Sequence, residues 1–496
     1  MAITQHFNRT LFLSVLLIAV SQFNYGFDNQ AFAQTQAMDA FEKQFGQYDA
    51  STGTYALPTQ FESLLNGVPF VGFAVGLIIG SLVSARYGRR MTMFCMSLYA
   101  LVSATIVITA KTSGQILAGR TLNYVYIGCE LSVVPVFQSE IVPASVRGFA
   151  VSTYQLMVSC GGLIINIICR ATSTNTGASA YRLPYGLFYI VPSIILSLIW
   201  FIPESPRWLL MQDRIEEAKV AHYKYRVGTM SDEAIDFEFD MLHQALVTEP
   251  EQGHTKELFQ GTNLKRTAIV VTTNFFQQAT GQTFASQYGT IFIKSLGTVN
   301  PWSMSTGNSA IGLSMLIICL LVADKLGRRY MLLAGSTVQA LALFTMGGLG
   351  LHNTSSYGHK AGEAAMLSLF GAAFSFAWGP LTYVVTTELP ALRLRDRSQR
   401  VASMMNIATN LVVTFAVPYM LKALASKVGF IFGALSVLAG VFVYLCVPEC
   451  KGRSLEEVDR MFLDGIKVRE FRNYPRTDME GERIKEKVEQ VGSDGA

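Results

Sequence analysis

Charge is what this chain has least of. Only 15% of its 496 residues are Asp, Glu, Lys or Arg, where a soluble domain carries roughly 25%. Half of the residues are hydrophobic. That shortfall argues against an ordinary water-soluble globule and for a chain that crosses a membrane repeatedly. The formal net charge of +4 is small and spread out. No long basic block stands beside aromatics, which argues against a nucleic-acid surface. The seven cysteines sit mostly singly in apolar runs, without a C-x-x-C pair, so neither a disulfide frame nor a zinc site is expected. His222, His243 and His254 lack metal spacing. With no nucleophile–base pair, phosphate loop or metal cluster, the chain is not expected to be an enzyme, and no cofactor or metal is expected.

What the chain has in quantity is long apolar runs. A spanning helix needs about 20 mainly apolar residues. Runs of that kind fall near 10–30, 63–84, 91–110, 116–140, 149–169, 184–202, 266–292, 303–323, 330–350, 363–387, 400–422 and 428–447. The expected fold is an all-α membrane protein of twelve transmembrane helices in two six-helix halves. The expected divisions are 1–202 for the first half, 203–265 for a cytoplasmic linker with short helices, 266–447 for the second half and 448–496 for a cytoplasmic tail. The first run, Thr10 to Gly26, lacks a small-residue cleavage site, so it reads as a retained span and not a signal peptide. In the linker, Arg214–Arg226 and Ser231–Leu246 read as surface helices. The tail is expected to be mostly disordered after about Phe471.

Arginine placement predicts the orientation. With the N-terminus inside, the inner loops hold Arg86, Arg89, Arg90, Arg147, Arg328, Arg329, Arg393, Arg395, Arg397 and Arg400, and the outer loops hold Arg170 and Arg182. This asymmetry satisfies the positive-inside rule, although Lys422 and Lys427 fall outside. Asn353, in the sequon Asn353-Thr354-Ser355, falls in an outer loop and is a glycosylation candidate.

One apolar run is unusual. Asn274–Tyr288 (NFFQQATGQTFASQY) carries four glutamines and several hydroxyls at membrane depth. Lipid cannot satisfy these amides, and each costs about 2–7 kcal/mol when buried unpaired. They must face the interior of a bundle and meet something polar there. A polyol such as a sugar fits, because its hydroxyls need paired donors and acceptors.

The two halves carry matching signatures. Arg86-Tyr87-Gly88-Arg89-Arg90 after span two matches Lys325-Leu326-Gly327-Arg328-Arg329 after span eight. Glu140–Arg147 (EIVPASVR) after span four matches Glu388–Arg395 (ELPALRLR) after span ten. Such repeats place a binding site between the halves.

These residues resemble the sugar porter family of the major facilitator superfamily. The resemblance rests on PESPRWL (Pro203–Leu209), PECKGRSLEE (Pro448–Glu457), Gln277-Gln278-x-x-Gly281 and Gly379-Pro380 with the repeats above, and it covers about Phe23 to Glu457. GFDNQAF near span one and ELPALRLR resemble fungal members most. The resemblance implies alternating-access transport of a sugar (hexose, pentose or related polyol) as proton symport by a monomeric unit in the plasma membrane. It also implies roles for particular residues. Asp28 would be the proton-coupling acid and Arg120 its ion partner. Gln155, Gln277, Gln278 and Asn406 would contact sugar, with Tyr25 and Tyr383 as aromatic faces and Thr283 and Tyr288 beside them. Arg89, Arg90, Glu140, Arg147, Glu204, Arg207, Arg328, Glu388, Arg395 and Glu449 would form inner ion networks that join the halves in the outward-open state and break in the inward-open one.

The chain departs from the family pattern at Thr283 and Gly312, where asparagines are usual, at Gln287, where a tyrosine is common, and at Tyr383, where tryptophan is usual. These departures imply a roomier pocket with fewer amides. Ala85 stands where the first repeat usually has an acid, whereas Asp324 keeps it in the second. Glycines 72, 76, 80, 161, 162 and 371 are expected to permit close helix packing. Alternatives within the same frame are uniport, with Asp28 structural, and export of a secondary metabolite. A nutrient sensor is ranked below these, because the tail after span twelve is only about fifty residues.

Overall fold

The computed structural model describes residues 7–50, 53–143, 147–247, 254–351, 356–453, 455–466 and 468–471. The sequon at Asn353 lies outside the described residues, as does the tail beyond Phe471.

Span one is Arg9–Thr35, span two Thr59–Tyr87, span three Arg89–Ile108, span four Ser113–Ile141, span five Arg147–Thr172 and span six Ser179–Phe201. Span seven is broken into Gly261–Ala279, Gln282–Gln287 and Gly289–Leu296. Span eight is Pro301–Leu326, span nine Arg328–Leu349, span ten Tyr357–Glu388, span eleven Arg395–Leu424 and span twelve Val428–Cys446. Among the described residues nine stretches are long and apolar enough to cross a membrane, and one of these, Arg395–Cys446, contains both spans eleven and twelve. Spans four and seven complete the twelve; their buried Arg120, Glu130 and glutamines dilute the apolar signal. Large apolar side chains such as Leu82, Leu321 and Val412 point outward, fully two-thirds exposed. On a water-soluble protein such faces would be a liability; here they are the lipid contact surface.

The helices pair in a repeated order. Span one packs on five, two on four and three on six; correspondingly, seven packs on eleven, eight on ten and nine on twelve. The halves meet where span five touches eight and span two touches eleven. Small residues permit the closest crossings. A Cβ on Gly76 would lie 2.1 Å from the Val125 carbonyl oxygen, and one on Gly161 would lie 2.0 Å from that of Phe23. Gly371 differs from the expectation: nothing lies within 4 Å of its would-be Cβ, so packing does not require a glycine there.

Both breaks in the helices have local causes. Gly281 adopts φ +103, a left-handed conformation that ends the first part of span seven just after Gln277 and Gln278. In span ten the helix is interrupted at Ala377, before Gly379-Pro380, where proline has no N–H to return to the preceding turn.

The N-terminus, the linker and the C-terminal helix gather at the face that bears the arginine repeats. Asn8 donates to the carbonyls of Lys224 and Val227 at 2.9 and 3.1 Å, fastening the start of span one to linker helix Ile215–Arg226. Arg226 of that helix donates to the Ile141 carbonyl at 3.0 Å, at the end of span four. A second linker helix, Asp232–Val247, answers with Glu238, which pairs with Arg226 at 3.0 Å. On the other half, Arg266 at the start of span seven is buried against Asp459 of helix Leu455–Leu463 and lies over the Phe462 ring. Between spans one and two, on the opposite face, lie a short helix, Asp39–Phe45, and a small hairpin pairing Gln47–Asp49 with Thr54–Ala56.

Candidate functional site

The repeats act as helix starts. Glu204 accepts the backbone N–H groups of Arg89 and Arg90 at 3.1 Å each, and Glu449 accepts those of Arg328 and Arg329, also at 3.1 Å each. Each carboxylate therefore sits on the positive end of a helix, span three or span nine, and satisfies donors that would otherwise be orphaned. Gly88 and Gly327 take φ +92 and +91, and a Cβ at either would strike the same carboxylates at about 2.4–2.5 Å. Arg89 grips Glu140 through two bonds of 2.9 and 2.8 Å, and Arg328 meets Glu388 at 3.0 Å and Asp324 at 2.9 Å. Ala85 lacks the acid that Asp324 supplies; Arg89 donates to the Ser84 carbonyl at 3.0 Å, as Arg328 does to the Ala323 carbonyl at 3.3 Å, and Trp208 donates to the Ala85 carbonyl at 2.9 Å. Arg90 and Arg329 reach the carbonyls of Ile202 and Tyr444. These ion pairs all stay within one half. Arg207 lies in helix Pro206–Met211. Arg147 heads span five, with its side chain outside the described residues. Arg395 makes no ion pair among the described residues.

At the opposite face the halves are stitched together. Gln36 donates to the Gln287 carbonyl at 2.8 Å, and Asn66 donates to Gln36 at 3.0 Å. Lys294 of span seven holds the Ala37 carbonyl, Asp39 and Glu42 at 2.7–2.8 Å. Thr290 donates to Gln34 at 3.0 Å, Asn166 to Ser309 at 2.6 Å and Ser63 to the Phe415 carbonyl at 3.2 Å. The structure is thus shut at this face.

Between the two faces lies a polar centre. Asn406 of span eleven donates to Gln277 Oε1 at 2.6 Å and accepts from Gln278 Nε2 at 3.1 Å. Gln277 Nε2 in turn donates to the Gly379 carbonyl at 3.1 Å, in the first turn after the break in span ten. Thr283 donates to Asn410 at 2.8 Å. Gln155, half-buried on span five, has no side-chain partner among the described residues. Tyr383 is 52% exposed to water although protein surrounds it, and it lies beside Gln277 and near Tyr25 of the other half. Gln278, Asn406 and Tyr383 of the second half and Tyr25 of the first therefore bring amide groups and aromatic surface toward one region; Gln155 follows Tyr154, which lies near Tyr25 and Tyr383.

Several expectations need correction. Tyr288 is fully buried among Phe284, Phe292 and Val417, and its hydroxyl donates to the Thr414 carbonyl at 2.8 Å. It is a core residue. Asp28 and Arg120 form no ion pair. Asp28 accepts instead from Asn24 at 3.2 Å and Asn123 at 3.1 Å. Arg120 lies over Phe32, 4.8 Å from the ring centroid, and reaches Gln287 at 3.4 Å. At the centre Thr283 pairs with the amide of Asn410, a residue the sequence pattern did not single out. The sequence reading also passed over Glu130, a carboxyl buried in span four. A lone acid within an apolar run was the available signal.

Residues 14–462 match the model of the "Sugar (and other) transporter" family. The chain is 28% identical over 470 residues to hexose transporter HXT8 of Saccharomyces cerevisiae, covering 92% of this chain and 83% of that one. It is 27% identical over 468 residues to MFS transporter fmqE of Aspergillus fumigatus, covering 92% and 86%. Its fold matches the inward open conformation of the xylose transporter XylE from E. coli, with a TM-score of 0.75 and 20% identity over 91% of this chain and 99% of that one. The chain therefore belongs to the sugar transporter family of the major facilitator superfamily, and it is a multi-pass membrane transporter and not an enzyme.

Proposed function

We propose that the chain carries a hexose, pentose or related polyol through the plasma membrane by alternating access, as a monomeric unit driven by protons. The arginine face is cytoplasmic in this reading, so the structure is the inward-facing state. The observation that carries the reading is the convergence of Gln278, Asn406 and Tyr383 from one half with Tyr25 from the other, and Gln155 is proposed to join them. Carboxamides can pair with sugar hydroxyls, and the tyrosines can cover the apolar ring face. The inner networks, each closed within its own half, fit a state in which that face has parted. Residues 1–202 and 266–447 act as the two rocking bodies, joined by the linker 203–265, with 448–496 as tail.

Asp28 is the proposed coupling acid. It is buried between two amide donors, Asn24 and Asn123, so a movement of either neighbour changes what its carboxyl meets. Uniport is the second reading, favoured by the absence of an Asp28–Arg120 ion pair. The test is uptake across a panel of sugars and polyols at two external pH values, in a host lacking its own hexose transport. Symport predicts faster uptake at the lower pH and concentrative uptake that Asp28→Asn abolishes while exchange survives. Accumulation retained in Asp28→Asn would clear Asp28 of coupling.

A further inference from the structure

Asp28 is not the only buried acid in the first half. Glu130 lies in the middle of span four and is 0% exposed. Its Oε2 meets the Tyr154 hydroxyl at 3.5 Å, and its Oε1 has no hydrogen-bond partner. The titratable groups near it among the described residues are phenols: Tyr126 one turn earlier on its own helix, Tyr25 from span one and Tyr154 from span five. Tyr383 of span ten stands near Tyr25 and Tyr154. Among the described residues no lysine, arginine or histidine is one of these neighbours, and no salt bridge reaches Glu130.

The two acids share surroundings. Asn24 donates to Asp28 at 3.2 Å and to the Tyr126 hydroxyl at 3.3 Å, and Tyr126 lies one turn from Glu130 on the same helix face. Each acid is thus buried among amides or phenols, and a carboxylate buried away from a paired cation is costly to keep ionised. The orphaned Oε1 is enclosed too tightly to receive a bulky ligand, but a proton needs no room.

We infer that Glu130 is a second proton-binding carboxyl, loaded in this state and unloaded to water when the tyrosine cluster between the halves opens. The same proton binds Oε1 from water and returns to water, so nothing else is consumed. This deepens the proton-coupling reading: the first half would carry two exchangeable protons, one on Asp28 and one on Glu130, and Glu130 lies close to the proposed sugar-facing tyrosines.

The test is infrared spectroscopy of the reconstituted full chain, titrated across pH without substrate. The expected result is two carboxylic-acid C=O bands that vanish as pH rises, one lost in Glu130→Gln and the other in Asp28→Asn. Tyr154→Phe, which deletes the single hydroxyl donor, should shift the Glu130 band to higher wavenumber and leave the Asp28 band in place. This second variant keeps the test open should Glu130→Gln fail to fold. A spectrum unchanged by Glu130→Gln, or a Glu130 band that persists at every pH, would overturn the proposal. Because the readout uses no sugar, a chain that transports none of the panel would leave this result standing by itself.

Discussion

Gln287 Nε2 donates to Asn29 Oδ1 at 2.9 Å, tying span seven of one half to span one of the other. The Tyr124 hydroxyl donates to the same oxygen at 2.7 Å. The bond lies beside the seal at Gln36 and Asn66, so it belongs to the closed face. Replacing Asn29 with Ala removes the acceptor for both donors. The expected cost to the closed state is about 1 kcal/mol, a population shift of about five-fold toward conformations open at that face. Spin-label distances between the outer ends of spans one and seven would report it. An unchanged distance distribution would mean that the seal is held elsewhere.

Glu204 and Glu449 make a second prediction. Each binds two backbone N–H groups at a helix start, so Glu204→Gln and Glu449→Gln should each lower stability by about 1–2 kcal/mol. Gly88→Ala should be at least as damaging, because it combines φ +92 with a Cβ 2.4 Å from Glu204 Oε2. Thermal unfolding of purified protein would check all three. Gln variants as stable as the parent would leave these acids a role in gating alone.

The linker supplies a pH dependence. His222 is buried on helix Ile215–Arg226, beside the Phe239 ring and Arg226. Burial first, then the Arg226 charge, push its pKa down to about 4, and Glu238 opposes them weakly. The unfolded chain binds a proton near pH 6.5, so between that pH and about 4 it is the unfolded state that holds more protons. Stability from this group is therefore full above pH 6.5 and is lost as pH falls toward 4. His222→Gln should flatten this part of the profile in a thermal scan at several pH values. An identical slope in parent and variant would place the acid sensitivity elsewhere.

Gln155 and Gln277 should behave differently when truncated. Gln155 makes no side-chain bond among the described residues, so Gln155→Ala should weaken sugar affinity by about 1–3 kcal/mol and leave folding stability nearly unchanged. Gln277 is held by Asn406 and the Gly379 carbonyl, so Gln277→Ala should lower stability as well. Binding titrations paired with melting curves separate the two. Equal stability losses would make Gln155 a packing residue.

The sequence made some of this legible and hid the rest, for physical reasons. Apolar run length exposed most spans because lipid demands it. The GRR repeats were readable because charge at a membrane end is rare. Their partners Glu204 and Glu449 were legible as motif positions, but their action as helix caps needed coordinates. Tyr288 was misplaced because its side-chain direction depends on the break at Gly281, which run length does not reveal. The Asp28–Arg120 pairing failed because Asn24, one turn away, and Asn123 compete for the carboxylate. Asn29 and Asn410 were missed because a single amide in a helix carries no periodic signal.

The central claim is that amides and tyrosines from both halves form a sugar site reached from alternate sides. The most direct measurement is counterflow in proteoliposomes: vesicles preloaded with an unlabelled sugar are placed in a trace of the same labelled sugar, across the panel of hexoses, pentoses and polyols. The account predicts transient accumulation of label for at least one of them, weakened by Gln155→Ala and by Gln278→Ala. Label that never exceeds equilibration for any member of the panel, with folded protein in the vesicles, would contradict it.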